Sequence, residues 1–380
     1  MVAGVLAPAS VDELGGQLRD LDAHHRMMIR GLGSTLPSDD DRIVVDTMAL
    51  NRFVHRVDDF SVTVGAGVLW SALQEQLARV GQRVAVDPPG VGTVGAMVAT
   101  GARGGLIHRY GGVRDQIIGM TIVLADGTVA HSGSTVIKNV AGYDLAKLFA
   151  GSRGRFGIIA EVIFRTRPLP ETQRTLLVPA RPDRVRALVH EILGAHVELS
   201  ALDLVDDTLS CLVEGGHEVI DRRLDRLMRA LPDTATERLD EPQSLAYWSR
   251  LRDLQFPVEG GLVFSLSARS TVTLDLLPMM RSTLGSSLAA LVAHVGAGVV
   301  EVSVAPGGQA HRLLELREML SCAAGEIRAR HPLCSFDFEI PSSALVTHPP
   351  SAEARAGSTI TVRLLADRIG MALDPNGRFR

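Results

Sequence analysis

The chain has 380 residues, of which 46% are hydrophobic and 22% are charged, and its formal net charge is -4 at pH 7. This length allows two domains that each bury a core, and the hydrophobic content excludes a largely disordered chain. The small net charge and the absence of any run of Lys and Arg give no indication of binding to nucleic acid or to an anionic membrane.

The cysteines and the apolar stretches restrict the class of protein further. Cys211, Cys322 and Cys334 are scattered, and no Cys-x-x-Cys occurs, which argues against disulfides and excludes an all-cysteine iron–sulfur cluster within this chain. The longest apolar stretches, such as 287–300, are shorter than the roughly 20 residues that span a bilayer, and the N-terminus resembles no signal peptide. We therefore expect a cytoplasmic protein with no transmembrane segment, in which any membrane association would go through partners.

The first 170 residues mix short strands with a few helices. Ser10 and Glu13 form the Ser-x-x-Glu pattern that opens a helix, and an apolar strand follows at 26–30. Hydrophobic periodicity predicts further elements as follows: strands at 43–46, 53–57, 61–64, 120–124, 128–131 and 158–166, a helix at 68–80 and a hairpin turn at 126–127. Pro168 and Pro170 interrupt the pattern and predict a domain boundary.

Beyond Glu171 the pattern alternates longer helices with apolar strands. The predicted helices are at 182–193, 217–231, 309–330 and 361–373, and the predicted strands are near Leu202 and Cys211 and at 262–268 and 299–304. This rhythm predicts a second domain rich in βαβ units, without an evident sequence repeat.

Three glycine-rich segments are the strongest indication of a binding site. Residues 28–35 form a strand that enters a loop with two glycines, and such loops let backbone N–H groups approach a pyrophosphate. A Rossmann NAD site would need a third glycine and an immediate helix, whereas Pro37 follows here. Residues 87–105 combine many glycines with apolar residues at helical spacing, and residues 151–161 place glycines directly before a strand. Together they favour an ordered anion-binding and nucleotide-binding element over a plain linker.

In this order, the three segments resemble the PCMH-type FAD-binding domain of the vanillyl-alcohol oxidase superfamily. The block at 138–145 is similar to the 2-hydroxyacid-oxidising branch, and within that branch the chain is most similar to the smaller, FAD-binding E subunits of bacterial glycolate oxidases. The likeness covers about 26–170 and continues only in patches. Ala96 and Arg155 replace residues that are usually Gly and a small side chain, and neither change removes a backbone contact.

The resemblance implies a fold, a domain arrangement and a cofactor. The fold expected is α+β, with a two-part PCMH-type FAD-binding domain over 1–170, a βαβ-rich, ferredoxin-like cap or substrate domain over 171–345, and a C-terminal segment over 346–380 whose helix returns to the FAD domain. FAD is expected to be non-covalent, because 30–35 contain no His or Cys. The implied cofactor-binding residues are Arg30, Gly31, Leu32, Gly33, Ser34, Thr35, Pro89, Gly92, Thr93, Val94, Gly95, Thr100, Gly104, Ile158 and Ile159.

Oxidation of a 2-hydroxy acid requires a base or metal at the hydroxyl group and a cation at the carboxylate. Arg252 follows an aromatic pair and matches the position of a carboxylate-binding Arg in the resembled branch, although a surface Arg on a helix explains it equally well. His108, close after the second glycine-rich segment, is a possible base. Lys138 and Asn139 are left open as residues that shape the site or open a helix.

A third catalytic candidate, His294, begins a segment that resembles a metal-binding element of relatives, His-x-Gly-Asp-Gly-Asn-x-His. Ala297 and Val299 replace the polar residues of that element, and Glu301 takes the place of its second His. His and Glu can ligate a divalent ion, but a His on an apolar strand is more often structural. We therefore predict no metal.

The predicted function is an FAD-linked oxidase or dehydrogenase subunit that oxidises a short 2-hydroxy acid such as glycolate or lactate and passes electrons to a partner. The resemblance implies a second flavin subunit and an iron–sulfur subunit as partners. Two alternatives stay open: a flavin-bearing structural subunit without its own chemistry, and a stand-alone sugar or alcohol oxidase of the same superfamily.

Overall fold

The computed structural model describes residues 4–32, 42–134, 146–254, 262–267, 270–305 and 368–379. The chain divides into two compact units: unit 1 comprises Met1–Arg103, Tyr110–Leu169 and Ile360–Arg380, and unit 2 comprises Gly104–Arg109 and Pro170–Thr359. The expectations at 33–35, 138–145 and 309–330 lie outside the described residues. No helix in the described part of the chain is long and apolar enough to span a membrane.

The described residues of the N-terminal part form ten strands and six helices. In chain order they are β1 (Gly4–Leu6), α1 (Val11–Asp20), β2 (Met27–Arg30), β3 (Ile43–Asp46), β4 (Phe53–Arg56), β5 (Ser61–Gly65), α2 (Trp70–Ala78), β6 (Gln82–Arg83), α3 (Val94–Thr100), α4 (Ile107–Tyr110), α5 (Val113–Gln116), β7 (Ile117–Val123), β8 (Val129–Gly133), α6 (Ala146–Phe149), β9 (Ile158–Arg165) and β10 (Arg167–Pro168).

Two larger sheets of the described residues organise unit 1, beside the short antiparallel pair β6 and β10. A parallel three-stranded sheet has the order β1-β3-β2, and an antiparallel five-stranded sheet has the order β4-β5-β9-β7-β8. α2 and α3 bury their apolar faces in the core of the second sheet, and Leu73, Leu77, Val94, Val98 and Phe164 are all fully buried there. The two sheets match the two-part FAD-binding domain expected from the sequence.

The start of α1 follows the capping pattern read from the sequence. The Ser10 hydroxyl accepts from the Glu13 N–H at 3.2 Å, and the Glu13 carboxylate accepts from the Ala9 N–H at 2.8 Å. Leu14 and Leu18, one turn apart, are buried beneath the helix. The reciprocal cap fixes where the helix begins, because it satisfies donors that have no partner inside the helix.

The remaining described elements belong to unit 2. They are β11 (Thr172–Pro179), α7 (Val185–Gly194), β12 (Ala201–Val205), β13 (Thr208–Gly215), α8 (His217–Arg229), β14 (Glu237–Leu239), α9 (Glu241–Leu254), β15 (Leu262–Ser267), α10 (Ser270–Leu284), β16 (Leu288–His294) and β17 (Val299–Val304).

The described strands of unit 2 form one seven-stranded antiparallel sheet with the order β14-β11-β13-β12-β16-β17-β15. The chain order β11-α7-β12-β13-α8-β14 with spatial order 4-1-3-2 is the ferredoxin-like arrangement. β15-α10-β16-β17 repeats the first β-α-β-β part of that arrangement, and the two halves meet where β12 pairs with β16. The ferredoxin-like expectation is therefore confirmed, together with a structural duplication that the sequence did not reveal.

The C-terminal residues pack on unit 1. Residues 368–373 are helical, and the Asp374 carboxylate, fully buried, accepts from the N–H groups of Arg378 and Phe379 at 2.8 and 2.9 Å. The Arg378 guanidinium donates to the carbonyls of Leu18 and Ala125, and its own carbonyl accepts from the Met27 N–H at 2.6 Å. The terminal motif thus holds β2 in place, directly before the first glycine-rich loop.

Candidate functional site

A buried acid–base pair lies at the centre of the sheet in unit 2. Asp203 of β12 and His294 of β16 are direct cross-strand partners at the junction of the two halves. His294 Nδ1 and Asp203 Oδ1 are 2.8 Å apart, and each residue is only 1% exposed. A buried carboxylate needs such a partner, because an isolated charge in this environment is costly.

His108 lies beside this pair. A Cβ atom on Gly296, two residues after His294, would come within 1.8 Å of His108 Nδ1, so the imidazole packs directly on the bare backbone of that glycine. Burial lowers the pKa of His108 below its ordinary value, and the negative charge of Asp203 offsets this only in part. Burial therefore favours the neutral form of the His108 imidazole.

The short segment Gly104–Arg109 carries His108 into unit 2. A Cβ atom on Gly105 would lie 2.9 Å from Trp248 Cζ3 and 3.1 Å from Asp203 Oδ2. Arg109 ends the segment with an ion pair to Glu198 at 2.6 Å and a hydrogen bond to the Ser200 hydroxyl at 3.4 Å. Close packing at one end and an ion pair at the other hold His108 against Asp203.

α9 is fixed to the sheet by a set of side-chain hydrogen bonds. The Trp248 indole donates to the Thr175 hydroxyl at 2.9 Å, and that hydroxyl and the Ser244 hydroxyl are 2.7 Å apart. Arg252 lies one turn beyond Trp248, is partly exposed, and makes no hydrogen bond or ion pair to a described residue. Its guanidinium is therefore available to an anionic ligand.

The loop that resembles a metal-binding element has a different arrangement here. His294 is bound to Asp203, and Glu301 of β17 accepts from the Ser265 hydroxyl at 3.0 Å. Among the described residues, no group of three His, Cys, Asp or Glu side chains is placed to hold a metal ion. The thiol of Cys211 lies in the same sheet, and burial raises its pKa to about 12, which makes it a poor nucleophile.

In unit 1, the three glycine-rich segments converge although they are far apart in sequence. A Cβ atom on Gly31 would lie 2.7 Å from Thr93 Oγ1, which brings the first segment against the second. The N–H groups of Gly151 and Arg153 donate to the carbonyls of Val98 and Ala99 at 2.9 and 2.8 Å, which joins the third segment to the second. The result is a cradle of closely approaching backbone.

Contacts between the third and first segments complete this cradle. Gly154 adopts a φ of +75°, and a Cβ atom there would lie 2.7 Å from Ile29 Cδ1 of β2. The hydroxyl of Ser152, in the same turn, is buried and has no hydrogen-bond partner among the described residues. Glycines at close approach and a buried hydroxyl with unused hydrogen-bonding capacity fit the phosphates and polar edges of a dinucleotide.

Comparison with known proteins agrees with this geometry. Residues 2–133 match the family described as "FAD binding domain". The chain contains a PCMH-type FAD-binding domain. Its cofactor is FAD.

Several curated relatives are similar to this chain over part of their length. Identity is 29% to glycolate oxidase subunit GlcD of Bacillus subtilis (56% of this chain and 47% of that protein). It is 32% to a mitochondrial D-lactate dehydrogenase [cytochrome] of Arabidopsis thaliana (40% and 27%), and 29% to glycolate oxidase subunit GlcE of Escherichia coli (52% and 54%). The chain thus matches about half or less of each relative.

A solved structure shows the same fold. An alkyldihydroxyacetonephosphate synthase superimposes with a TM-score of 0.68, covering 99% of this chain and 75% of that chain, at 14% sequence identity. The likeness at this identity concerns the fold alone.

The FAD domain uses part of its second glycine-rich segment for its own structure. The N–H groups of Val94 and Gly95 donate to the carbonyls of Val68 and Ala66, both at 2.8 Å, and the Thr93 hydroxyl caps α3 by accepting from the Ala96 N–H at 3.2 Å. These groups are already occupied, so a flavin contact at Val94 or Gly95 has to use other atoms.

The other residues expected at the cofactor differ in their setting. Arg30 forms an ion pair with Asp46 at 2.7 Å, and Leu32 is exposed. The Thr100 hydroxyl donates to the Ala96 carbonyl of its own helix at 2.8 Å. Pro89 and Gly92 line the same segment, whereas Gly104 belongs to unit 2. The side chains of Ile158 and Ile159 are buried in β9. The pairing of β9 with β5 ends at Glu161, so on that side the backbone of the two residues is what could contact a cofactor. Gly33, Ser34 and Thr35 lie outside the described residues.

Three features of the site were missed from the sequence. Asp203 interrupts the apolar run 201–205, and a charge within a buried strand was the available signal for it. Gly296 was read as part of a metal-binding element, whereas its place against His108 explains the absence of a side chain. Ser152 had no distinguishing signal beyond its place in the third glycine-rich segment, directly after Gly151.

Proposed function

We propose that the chain is a subunit of an FAD-linked oxidase or dehydrogenase that oxidises a short 2-hydroxy acid such as glycolate or lactate. The observation that carries the proposal is the desolvated, neutral His108 packed beside the Asp203–His294 pair. Bound FAD supplies the acceptor for the hydride that leaves the α-carbon.

The residues of this chain supply the remaining parts of the reaction. His108 accepts the hydroxyl proton through Nε2, the ring nitrogen that is not enclosed against Gly296. Arg252 binds the substrate carboxylate, for which a partly exposed, planar guanidinium is suited. Asp203, held in place by His294, supplies the negative charge that favours the protonated form of His108 as the proton arrives.

A partner that accepts electrons is part of the proposal. The chain has three cysteines, fewer than the four that an all-cysteine cluster needs, so an iron–sulfur relay would belong to another subunit. Relatives named as subunits GlcD and GlcE support a multi-subunit enzyme. FAD is held without a covalent bond, so acid precipitation should release all of the flavin into the supernatant.

The decisive measurement is the visible spectrum of the purified flavoprotein during anaerobic addition of 2-hydroxy acids, first alone and then with co-expressed genomic neighbours. Bleaching of the flavin by glycolate or lactate is the expected result. Replacing Arg252 by Met should raise KM about 10- to 100-fold, since a hydrogen bond to a charged group contributes about 1.5–3 kcal/mol. Arg181→Met, at an 84%-exposed side chain, is the matched control and should change neither spectrum nor KM. A flavin that stays oxidised with every acid in both preparations contradicts the proposal.

A second candidate is a flavin-bearing structural subunit whose partner performs the chemistry. The Asp203–His294 pair favours it, because His294 is engaged in a contact within the protein. In that case Arg252→Met and His108→Asn should leave the activity of the complex unchanged. Loss of activity with either variant, while the complex still assembles, excludes a purely structural role.

A further inference from the structure

An open cavity on unit 2 is lined mostly by residues that take no part in the proposed reaction. It has a volume of about 380 Å³ and lies between α8 and the turn that precedes β12. Four arginines of α8 line it: Arg222, Arg223, Arg226 and Arg229. Glu198 is the only acidic residue in the lining.

The positive charge of this cavity follows from how α8 distributes its charges. Asp221 and Asp225, one turn apart, both form ion pairs with Arg238 at 2.7 and 3.2 Å. Arg238, a residue of β14, therefore neutralises the acidic side of α8. Arg222 and Arg226 are spaced four residues apart and Arg229 follows three later, so these like charges lie along one face and disfavour the isolated helix.

The arginines are only partly neutralised within the protein. Arg223 donates to the Glu214 carbonyl at 3.0 Å and pairs with Glu198 at 3.5 Å, while Glu198 is already bound by Arg109 at 2.6 Å. The side chains of Arg226 and Arg229 are exposed and make no ion pair or hydrogen bond to a described residue. Four guanidinium groups against one carboxylate leave a net charge of about +3 in the cavity, on a chain whose net charge is -4.

We propose that this cavity binds the phosphate of a small phosphorylated metabolite, with Arg226 and Arg229 as the principal ligands. The planar fork of a guanidinium matches phosphate oxygens in pairs, which a lone ammonium cannot do. The cavity volume lies within the ordinary range of small-molecule sites, at about 300–1,000 Å³. The assignment is independent of the reaction at the flavin.

Calorimetric titration of the flavin-loaded protein with pyrophosphate, at constant ionic strength, tests the site. Using the flavin-loaded protein keeps the phosphate-binding backbone of the FAD domain occupied. Saturable binding with one equivalent is expected, and the double variant Arg226→Gln/Arg229→Gln should weaken it at least tenfold. The control Arg181→Gln/Arg184→Gln removes the same charge from exposed positions at α7 and should leave the affinity unchanged.

The possible outcomes separate clearly. The thermal midpoint of the double variant reports whether it folds, and we expect it to match that of the control because both changed side chains are exposed. Equal weakening in both double variants would show a non-specific charge effect and overturn the proposal. Binding of acidic polypeptide without binding of pyrophosphate would also overturn it, since the cavity would then be a protein-docking surface.

Discussion

Replacing Gly296 by Ala tests the role of His108 without touching His108 itself. The added methyl group would lie 1.8 Å from His108 Nδ1 and 2.4 Å from Cε1, whereas ordinary contact begins at about 3.4 Å. The imidazole or the loop must therefore move by about 1.6 Å. Either movement changes how His108 lies relative to the Asp203–His294 pair.

A displacement of this size has a calculable effect on catalysis. Misplacement of a reacting group by 1 Å can lower a rate about 100-fold, which corresponds to about 2.7 kcal/mol in the activation barrier. We expect kcat for the 2-hydroxy acid to fall by about that factor or more, while the flavin content stays at the wild-type level. Rapid-mixing measurement of flavin reduction under anaerobic conditions reports this step directly.

Gly194→Ala is the matched control, because it makes the same substitution in the same unit where no atom lies within 4 Å of the added methyl. It should leave the rate of flavin reduction unchanged. If Gly296→Ala reduces its flavin at the wild-type rate while retaining a folded sheet by circular dichroism, His108 is not the base and the assignment fails.

Three further predictions concern the cofactor, the fold and pH. Gly31→Ala should lower the FAD content of the purified protein, because its methyl would lie 2.7 Å from Thr93 Oγ1, and Thr93→Ala should partly restore it by making room; unchanged flavin absorbance in Gly31→Ala would contradict the cradle. Gly16→Ala, where nothing lies within 4 Å in α1, should raise stability by about 0.5–1 kcal/mol in thermal denaturation, and a lower midpoint would refute the assigned helix. The acid limb of kcat/KM should lie below pH 6.5, because burial lowers the pKa of His108. The fold favours the neutral form of His108. The contribution of this residue to stability is therefore present above the pKa of the unfolded state and declines as the pH falls below that value. An acid limb above pH 6.5 would be inconsistent with His108 as the base.

Local patterns in the sequence predicted most elements of the FAD domain. The capping pattern at Ser10 and the β-branched run at 43–46 each specify an element through local interactions, and the structure has α1 and β3 there. α10 was not anticipated, because Pro278 lies within it and proline ordinarily ends a helix. The tertiary packing of Leu276 and Leu277 before that proline, and of Met280 and Leu284 after it, maintains the helix on both sides.

The site was less accessible to sequence reasoning than the fold. The glycine-rich segments carry their own signal, since each glycine reflects a local backbone requirement. The contact of Gly31 with Thr93, and that of Gly296 with His108, depend on pairs more than 60 residues apart, and no local pattern indicates which glycine faces which side chain. Asp203 is similar, because its partner His294 lies on a strand that becomes its neighbour only when the two halves of unit 2 join.

The position of the Asp203–His294 pair bears on why it exists. The pair lies where β12 of one half meets β16 of the other, a junction that apolar side chains could close equally well. Replacement of a buried ion pair by well-packed apolar residues is often neutral or stabilising, so stability alone does not account for a buried carboxylate here. The role of His108 as proton acceptor does account for the buried carboxylate of Asp203. A negative charge beside a desolvated imidazole stabilises the imidazolium that forms when the substrate proton is transferred. Asp203→Asn keeps the size of the side chain and removes the charge, so it should slow flavin reduction. In a Gly296→Ala background, where His108 is already displaced, adding Asp203→Asn should slow flavin reduction no further.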